Sequence, residues 1–249
     1  FLGTRYFYEK EEWKDKYKGL FWYHEAAEMG TIIEKYKYAD FYFSDNDVRD
    51  YKKALSLFLA LVPKEGDVTH QFHILLYLRL GEIYFKGLGA KKDYLEAKKY
   101  YERIDHTSEA LEAIISMHLN GWGVKQSDDM VITYIDKLMD PTRAKGYLPG
   151  PYFNILGNIY RKRSDLSKSL QNYRLAAISG VEDAMQALIE MYQPLGPEEA
   201  CELGDINFAI LQFEEAENYY RKEECKKNAR GRYNRIRLQS IEKYKNYNP

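Results

Sequence analysis

Apolar positions along the chain recur at helical spacing, and one short pattern of them returns many times. Leu80-Gly81-Glu82-Ile83-Tyr84-Phe85 reads as the second half of a helix, broken by Lys86-Gly87-Leu88-Gly89. Asp93 then starts a second helix, with the small residue Ala97 four positions in and Tyr100-Tyr101 near its close. The start of the chain repeats this 78 residues earlier without a gap: Leu2-Gly3, Tyr6-Phe7 and Asp15 fall on Leu80-Gly81, Tyr84-Phe85 and Asp93, and Trp22-Tyr23 falls on Tyr100-Tyr101. Seventy-eight is two units of 39.

The copy between them runs from Tyr38-Ala39-Asp40-Phe41-Tyr42-Phe43 through Asp50 and Ala54 to Leu57-Phe58. Further copies are Met117-His118-Leu119-Asn120-Gly121-Trp122-Gly123-Val124 with Tyr134, and Leu156-Gly157-Asn158-Ile159-Tyr160 with Asn172-Tyr173. The last clear one is Leu203-Gly204-Asp205-Ile206-Asn207-Phe208, then Phe213-Glu214-Glu215-Ala216 and Tyr219-Tyr220. Ala184 to Tyr192 is a partial copy, stopped by Pro194 and Pro197. Units are therefore expected near 1–30, 31–62, 70–106, 107–140, 150–180, 181–196 (partial) and 197–226, followed by a basic cap over 227–249. Gly or Ala after the Leu lets a paired helix approach closely, and the Tyr three residues on is expected to fill the space between the two helices. Each hairpin buries one face, so stacked neighbours complete the core.

These residues and spacings resemble the Sel-one-like repeat family, relatives of the tetratricopeptide repeats. Its Leu-Gly-x-x-Tyr helix, Gly-x-Gly loop and Ala-x-x-Tyr/Trp-Tyr helix match nearly the whole chain. Gly87-Leu88-Gly89 and Gly121-Trp122-Gly123-Val124 are the family's loops. Ser44 to Arg49 and Arg161 to Ser164 join their helices without that loop, and the last copy is closer to a plain tetratricopeptide unit. The resemblance implies an all-α, right-handed superhelical solenoid of about six to seven antiparallel hairpins with a C-terminal capping helix. It also implies a non-catalytic scaffold that binds a partner protein in its concave groove. Bacterial immunity-type, envelope and secretion-associated adaptors are the settings it suggests.

Composition adds two facts. The chain has 249 residues, of which 24 are Tyr, an excess that the repeat signature absorbs. Its net charge of −1 hides an uneven distribution. Residues 221–249 carry ten Lys/Arg and three Glu, or +7, while the remaining 220 carry 27 basic and 35 acidic, or −8. The balance excludes a globally basic nucleic-acid binder. Arg230, Arg232, Arg235 and Arg237 beside Tyr233 and Ile236 offer a basic patch for nucleic acid or anionic lipid. A capping helix with a solubilising polar face explains them better. The longest apolar run, Ala54 to Val62, is half the length of a membrane span, so no integral membrane protein is expected. The residues do not distinguish a periplasmic from a cytoplasmic setting, nor do they set the oligomeric state.

Chemistry that would make the chain an enzyme is weakly signalled. Asp67, His70 and His73 share a spacing that could put metal ligands on one helix face, but no second cluster completes a site. Asp45-Asn46-Asp47 lacks the Gly and Glu of a calcium loop, and Gly87-Leu88-Gly89 lacks the Lys-Ser/Thr of a phosphate loop. His118 stands where other copies have Tyr and reads as a packed core residue. No cofactor and no metal are expected. The rival readings are an envelope-associated hydrolase or carbohydrate-binding protein, and nucleic-acid binding through the basic C-terminal segment. Cys201 and Cys225 fall at neighbouring ends of the last helix pair, which admits a disulfide as well as the commoner state of two reduced thiols.

Superposing the copies selects the candidate partner-binding residues. Two after each Leu stand Asp40, Glu82, Ser116, Asn158 and Asp205, a polar and acidic line expected to face solvent in the groove. Directly after each signature Tyr stand Phe43, Phe85, Leu119 and Arg161, with Phe208 in the last copy. This mostly apolar line is either a ladder exposed for a partner or packing between successive repeats.

Overall fold

A computed structural model of the chain describes residues 16–63, 71–140, 150–222 and 225, and these residues form helices and connecting turns with no strand. The chain divides into two compact units, 1–138 and 139–249. The first holds α1 (Lys16–Met29), α2 (Ile32–Ser44), α3 (Tyr51–Ala60), α4 (Gln71–Lys86), α5 (Tyr94–Glu102), α6 (Ser108–Asn120) and α7 (Asp128–Leu138). The second holds α8 (Gly150–Lys162), α9 (Leu166–Ile178), α10 (Glu182–Met191), α11 (Pro197–Ala209) and α12 (Phe213–Tyr220). The expected cap over 227–249 lies outside the described residues.

Sequence neighbours pair as hairpins: α2 with α3, α4 with α5 and α6 with α7 in the first unit, α8 with α9 and α11 with α12 in the second. One backbone bond closes each hairpin. The residue that opens the second helix donates its N–H to the carbonyl of the signature residue in the first: Asp50 to Tyr42 (2.9 Å), Asp93 to Tyr84 (2.9 Å), Ser127 to His118 (3.3 Å), Asp165 to Tyr160 (3.0 Å) and Gln212 to Asn207 (2.9 Å). In four of the five the same residue caps its helix, because its side chain accepts from the N–H three residues on, as Asp93 does from Glu96 at 3.0 Å. Asp is therefore selected there for capping. The bond is kept although the intervening loop is long in the Gly-x-Gly hairpins and short after Tyr160 and Asn207.

The second recurrent contact lies between the paired helices. A Cβ added at Gly157 would stand 2.6 Å from the ring of Tyr173, and one at Gly81 would stand 2.5 Å from the ring of Tyr101; Gly204 meets Tyr220 in the same way. The ring seated on the glycine thus comes from the second helix of the pair. The first-helix Tyr was expected to fill that space, yet Tyr84 and Tyr160 are only half-buried. Three residues on from the glycine, their side chains emerge from the flank of the helix, and Tyr84 stacks there on Tyr100 at 5.8 Å. Ala39 and Phe58 occupy the Gly and Tyr positions in α2–α3, and Ile115 and Ile135 occupy them in α6–α7, all four buried. A larger residue on one helix is matched by a smaller one on its partner, which preserves core volume.

Successive hairpins lock through the loops. Trp122 packs on Phe85 (5.4 Å, edge-on) and stacks on Tyr94 (5.7 Å) of the preceding hairpin. Gly123 lets that loop approach closely, because a Cβ there would lie 2.6 Å from that of Tyr94. The short hairpins have no such glycine, and their turns instead place Ser164 (φ 62°) and Leu211 (φ 65°) in the left-handed region. Leu211 is 73% exposed, so its side chain contributes little packing. Leu211→Gly is expected to raise stability by up to about 1 kcal/mol, because glycine adopts the same left-handed conformation without a strained Cβ, and its greater freedom in the unfolded chain offsets only part of that gain. The urea midpoint is the measurement.

In the second unit α10 packs against the helix before it, α9, and does not form a closed hairpin with α11. Pro197 occupies the first turn of α11 and so opens a helix, beyond its role in ending the partial copy. Ala184 and Leu188 of α10, with Tyr192 directly after it, share a core with Tyr173, Ala176 and Ala177 of α9 and with Leu203 and Ile206 of α11.

Candidate functional site

The polar line Asp40, Glu82, Ser116, Asn158 and Asp205 lies one residue after the Gly, Ala or (in α6) Ile of each first helix, next to where the facing side chain of the second helix arrives. In the second unit this position serves that ring: Tyr173 donates its hydroxyl to Asn158 Oδ1, and Tyr220 to Asp205 Oδ1, both at 2.8 Å. In the first unit two members are gathered by Arg79 of α4, whose Nε donates to Asp40 Oδ1 at 2.8 Å and whose Nη1 donates to Glu82 Oε2 at 3.1 Å. Asp40 lies 39 residues before Arg79, so this clasp joins two successive hairpins. The Arg79 guanidinium also lies 4.7 Å from the ring centre of Phe43. Lys86 Nζ closes the row on Glu82 Oε1 at 2.7 Å.

The clasp is about two-thirds covered, with side-chain exposures of 32% for Arg79, 29% for Asp40 and 28% for Glu82. Burial works against the charge on Arg79, but Asp40, Tyr36 and Glu82 together outweigh it, and the guanidinium pKa stands above its ordinary value. Tyr36 beside it is pushed up to about 12, chiefly by burial and then by the charge on Asp40. Arg79 therefore stays charged and Tyr36 neutral throughout the physiological range. The two acidic and two basic side chains form a fixed pattern suited to recognition.

Phe43 is buried, edge-on to Tyr51 at 5.4 Å and near Phe58 at 6.3 Å. Phe85 is half-buried between Tyr94, Tyr101 and Trp122. Arg161 is exposed and pairs with Glu190 of α10 at 3.3 Å. Ser116 is half-buried on α6. Cys201 and Cys225 are joined as a disulfide, with their Cα atoms 5.0 Å apart.

Two elements escape a reading by columns of the repeat. Arg79 stands two residues before its glycine and reaches back one repeat, so only a pairing of oppositely charged positions 39 residues apart would have found it. Arg174 of α9 likewise donates to Glu202 of α11 at 2.9 Å and to the Tyr192 hydroxyl at 3.0 Å. Tyr192 is pushed up to about 12, again by burial first. Arg174 and Glu202 line an open cleft of about 650 Å³ between α9 and α11, with Ile178, Glu198 and Asp205. Among the described residues no group of His, Cys, Asp and Glu is placed to hold a metal ion. His73 lies against Phe72 and Tyr77, whereas Asp67 and His70 are outside the described residues.

The family model for the Sel1 repeat matches residues 1–31, 76–104, 113–130 and 150–181. The chain carries Sel1 repeats. No curated protein matches it. Among solved structures it is similar to a protective antigen of uropathogenic Escherichia coli displaying an SLR fold, at 18% identity and a TM-score of 0.50 over 94% of this chain and 62% of that one. It is also similar to a Sel1 repeat protein from Oxalobacter formigenes, at 22% identity and a TM-score of 0.50 over 77% of this chain and 76% of that one. This chain thus spans less than two-thirds of the E. coli antigen. Both likenesses establish the fold, and Sel1-repeat proteins are generally protein-interaction scaffolds. The Sel1 matches omit α2–α3, α10 and α11–α12, yet the α2–α3 and α11–α12 hairpins keep the Asp50–Tyr42 and Gln212–Asn207 closing bonds. No helix among the described residues is long and apolar enough to cross a membrane.

Proposed function

We propose that this Sel1-repeat protein is a non-catalytic scaffold that binds a partner protein on the surface formed by the first helices of its hairpins. The observation that carries the reading is the Asp40–Arg79–Glu82–Lys86 row. It spans two successive first helices, it is part-solvated, and its four side chains are fixed by mutual contacts, so little side-chain entropy is lost when a partner docks. A bacterial adaptor of the immunity, envelope or secretion type is the setting that this arrangement and the bacterial relatives favour. Ser116, Asn158, Asp205 and Arg161 extend the candidate surface within their own units.

Reversing Asp40 or Glu82 would break the clasp and confuse folding with binding. A photo-crosslinking residue is therefore better placed at an exposed site that spares it. Leu75 on α4 and Leu95 on α5 are 44% and 59% exposed, one on a first helix and one on a second. In the native host the probe at Leu75 should give a discrete crosslinked protein, and the probe at Leu95 none. Equal labelling from both positions, or none from Leu75, would sink the reading.

A further inference from the structure

His118 occupies the signature position of α6, where α2, α4 and α8 carry Tyr42, Tyr84 and Tyr160 and α11 carries Asn207. These alternatives do not titrate between pH 5 and 8. Asn207 is also satisfied in its buried place, donating Nδ2 to the Leu203 carbonyl at 2.7 Å. His118 is only 7% exposed, its ring stacks on Tyr134 of α7 at 5.7 Å, and neither ring nitrogen has a hydrogen-bond partner. The bond closing this hairpin, Ser127 N–H to the His118 carbonyl, is the longest of the five equivalents at 3.3 Å.

We propose that His118 is an acid-sensitive latch, holding the α6–α7 hairpin closed while its ring is neutral and loosening it when the ring is protonated. The groups facing the ring give a proton little help. From α5 come Lys98 and Glu102, paired with each other, so that repulsion from one and attraction from the other oppose. From α7 comes the Tyr134 ring, and from the loop the Lys125 carbonyl, which favours a proton without meeting hydrogen-bond geometry. Burial dominates, and it lowers the pKa of His118 below the ordinary value.

The sign follows. On acidification the unfolded or opened chain takes up the proton first. The closed hairpin therefore has its full stability above the ordinary His value and loses it as pH falls below that value toward the lowered one. The loop this hairpin carries packs Trp122 onto Phe85 and Tyr94, so loosening also weakens the lock onto the preceding repeat.

Hydrogen exchange read by mass spectrometry, corrected for the intrinsic effect of pH, tests this. In the wild-type protein residues 108–138 should lose protection between pH 7.5 and pH 5.0 while residues 32–60 keep theirs. His118→Tyr, which installs the residue of the sister repeats, should keep 108–138 protected at both pH values. The wild-type protein gives an independent reading through carbon-13-labelled imidazoles. The resonance missing from His118→Gln should titrate below the ordinary His range. An equal loss of protection in His118→Tyr, a loss spread evenly over the hairpins, or an ordinary titration of that resonance would overturn the latch.

Discussion

Truncating Tyr173 to Ala is expected to cost the second unit about 3–5 kcal/mol, the largest effect of any single change considered for this protein. The ring is fully buried, lies on Gly157 and donates its hydroxyl to Asn158, so truncation opens a cavity and removes a polar contact together. A unit of this size has total stability on the order of 5–15 kcal/mol. The variant should therefore be marginal, with its urea midpoint strongly lowered. The sharper form of the prediction uses the exchange that the chain itself makes in α6–α7, where Ile115 and Ile135 stand at the Gly and Tyr positions. Gly157→Ile alone forces a branched side chain into the Tyr173 ring, and Tyr173→Ile alone leaves a void. Made together, the two should be less destabilising than the sum of the singles by about 1–3 kcal/mol. Additivity within about 0.5 kcal/mol would mean that the rings and glycines are not packing partners as described.

That pairing marks the limit of what the sequence makes legible. Recurrence of Leu-Gly-x-x-Tyr, and of an Asp before three of the second helices, is enough to foresee the hairpins, because caps and close approaches demand particular residue types. Asp50, Asp93 and Asp165 all cap where the pattern puts a helix start. Periodicity locates the buried face of a helix, but it does not say which residue of the partner meets that face. The space beside the glycine was therefore assigned to Tyr84 and Tyr160, when Tyr101 and Tyr173 fill it. The polar line is legible as a set of positions and not as a set of bonds. Nothing in a column of Asp, Glu, Ser, Asn and Asp distinguishes the acids that Arg79 gathers from the Asn and Asp that receive tyrosine hydroxyls. That division arises from rotamers and from the neighbouring repeat.

The shared column has a consequence for the proposed scaffold. At Asp40, Glu82, Asn158 and Asp205 the same position holds the fold together and decorates the first-helix surface, so in that scaffold partner specificity and fold stability draw on the same residues. Substitutions at Asp40, Glu82 or Asp205 should therefore change both, and an exposed neighbour outside the clasp such as Leu75 is the site at which binding can be altered alone.

Opening the Cys201–Cys225 bond is expected to cost about 3–4 kcal/mol, the entropy of freeing a loop whose ends lie 24 residues apart. The α11–α12 hairpin has few other means of support. Its second helix has eight residues, and Gln212 makes no side-chain capping bond. The two sulfurs sit in a small core shared with Ala200, Ala216 and Tyr220, so the bond ties the start of α11 to the residues that follow α12 at their most buried point. Reductant should lower the urea midpoint of the wild-type protein and increase hydrogen exchange through 197–222. The Cys201→Ala/Cys225→Ala variant should be insensitive to reductant and match the reduced protein. Intact mass, two daltons lower before reduction than after, establishes that the bond is present in the sample. With the bond so established, an unchanged midpoint on reduction would show that the core of α11–α12 holds without it.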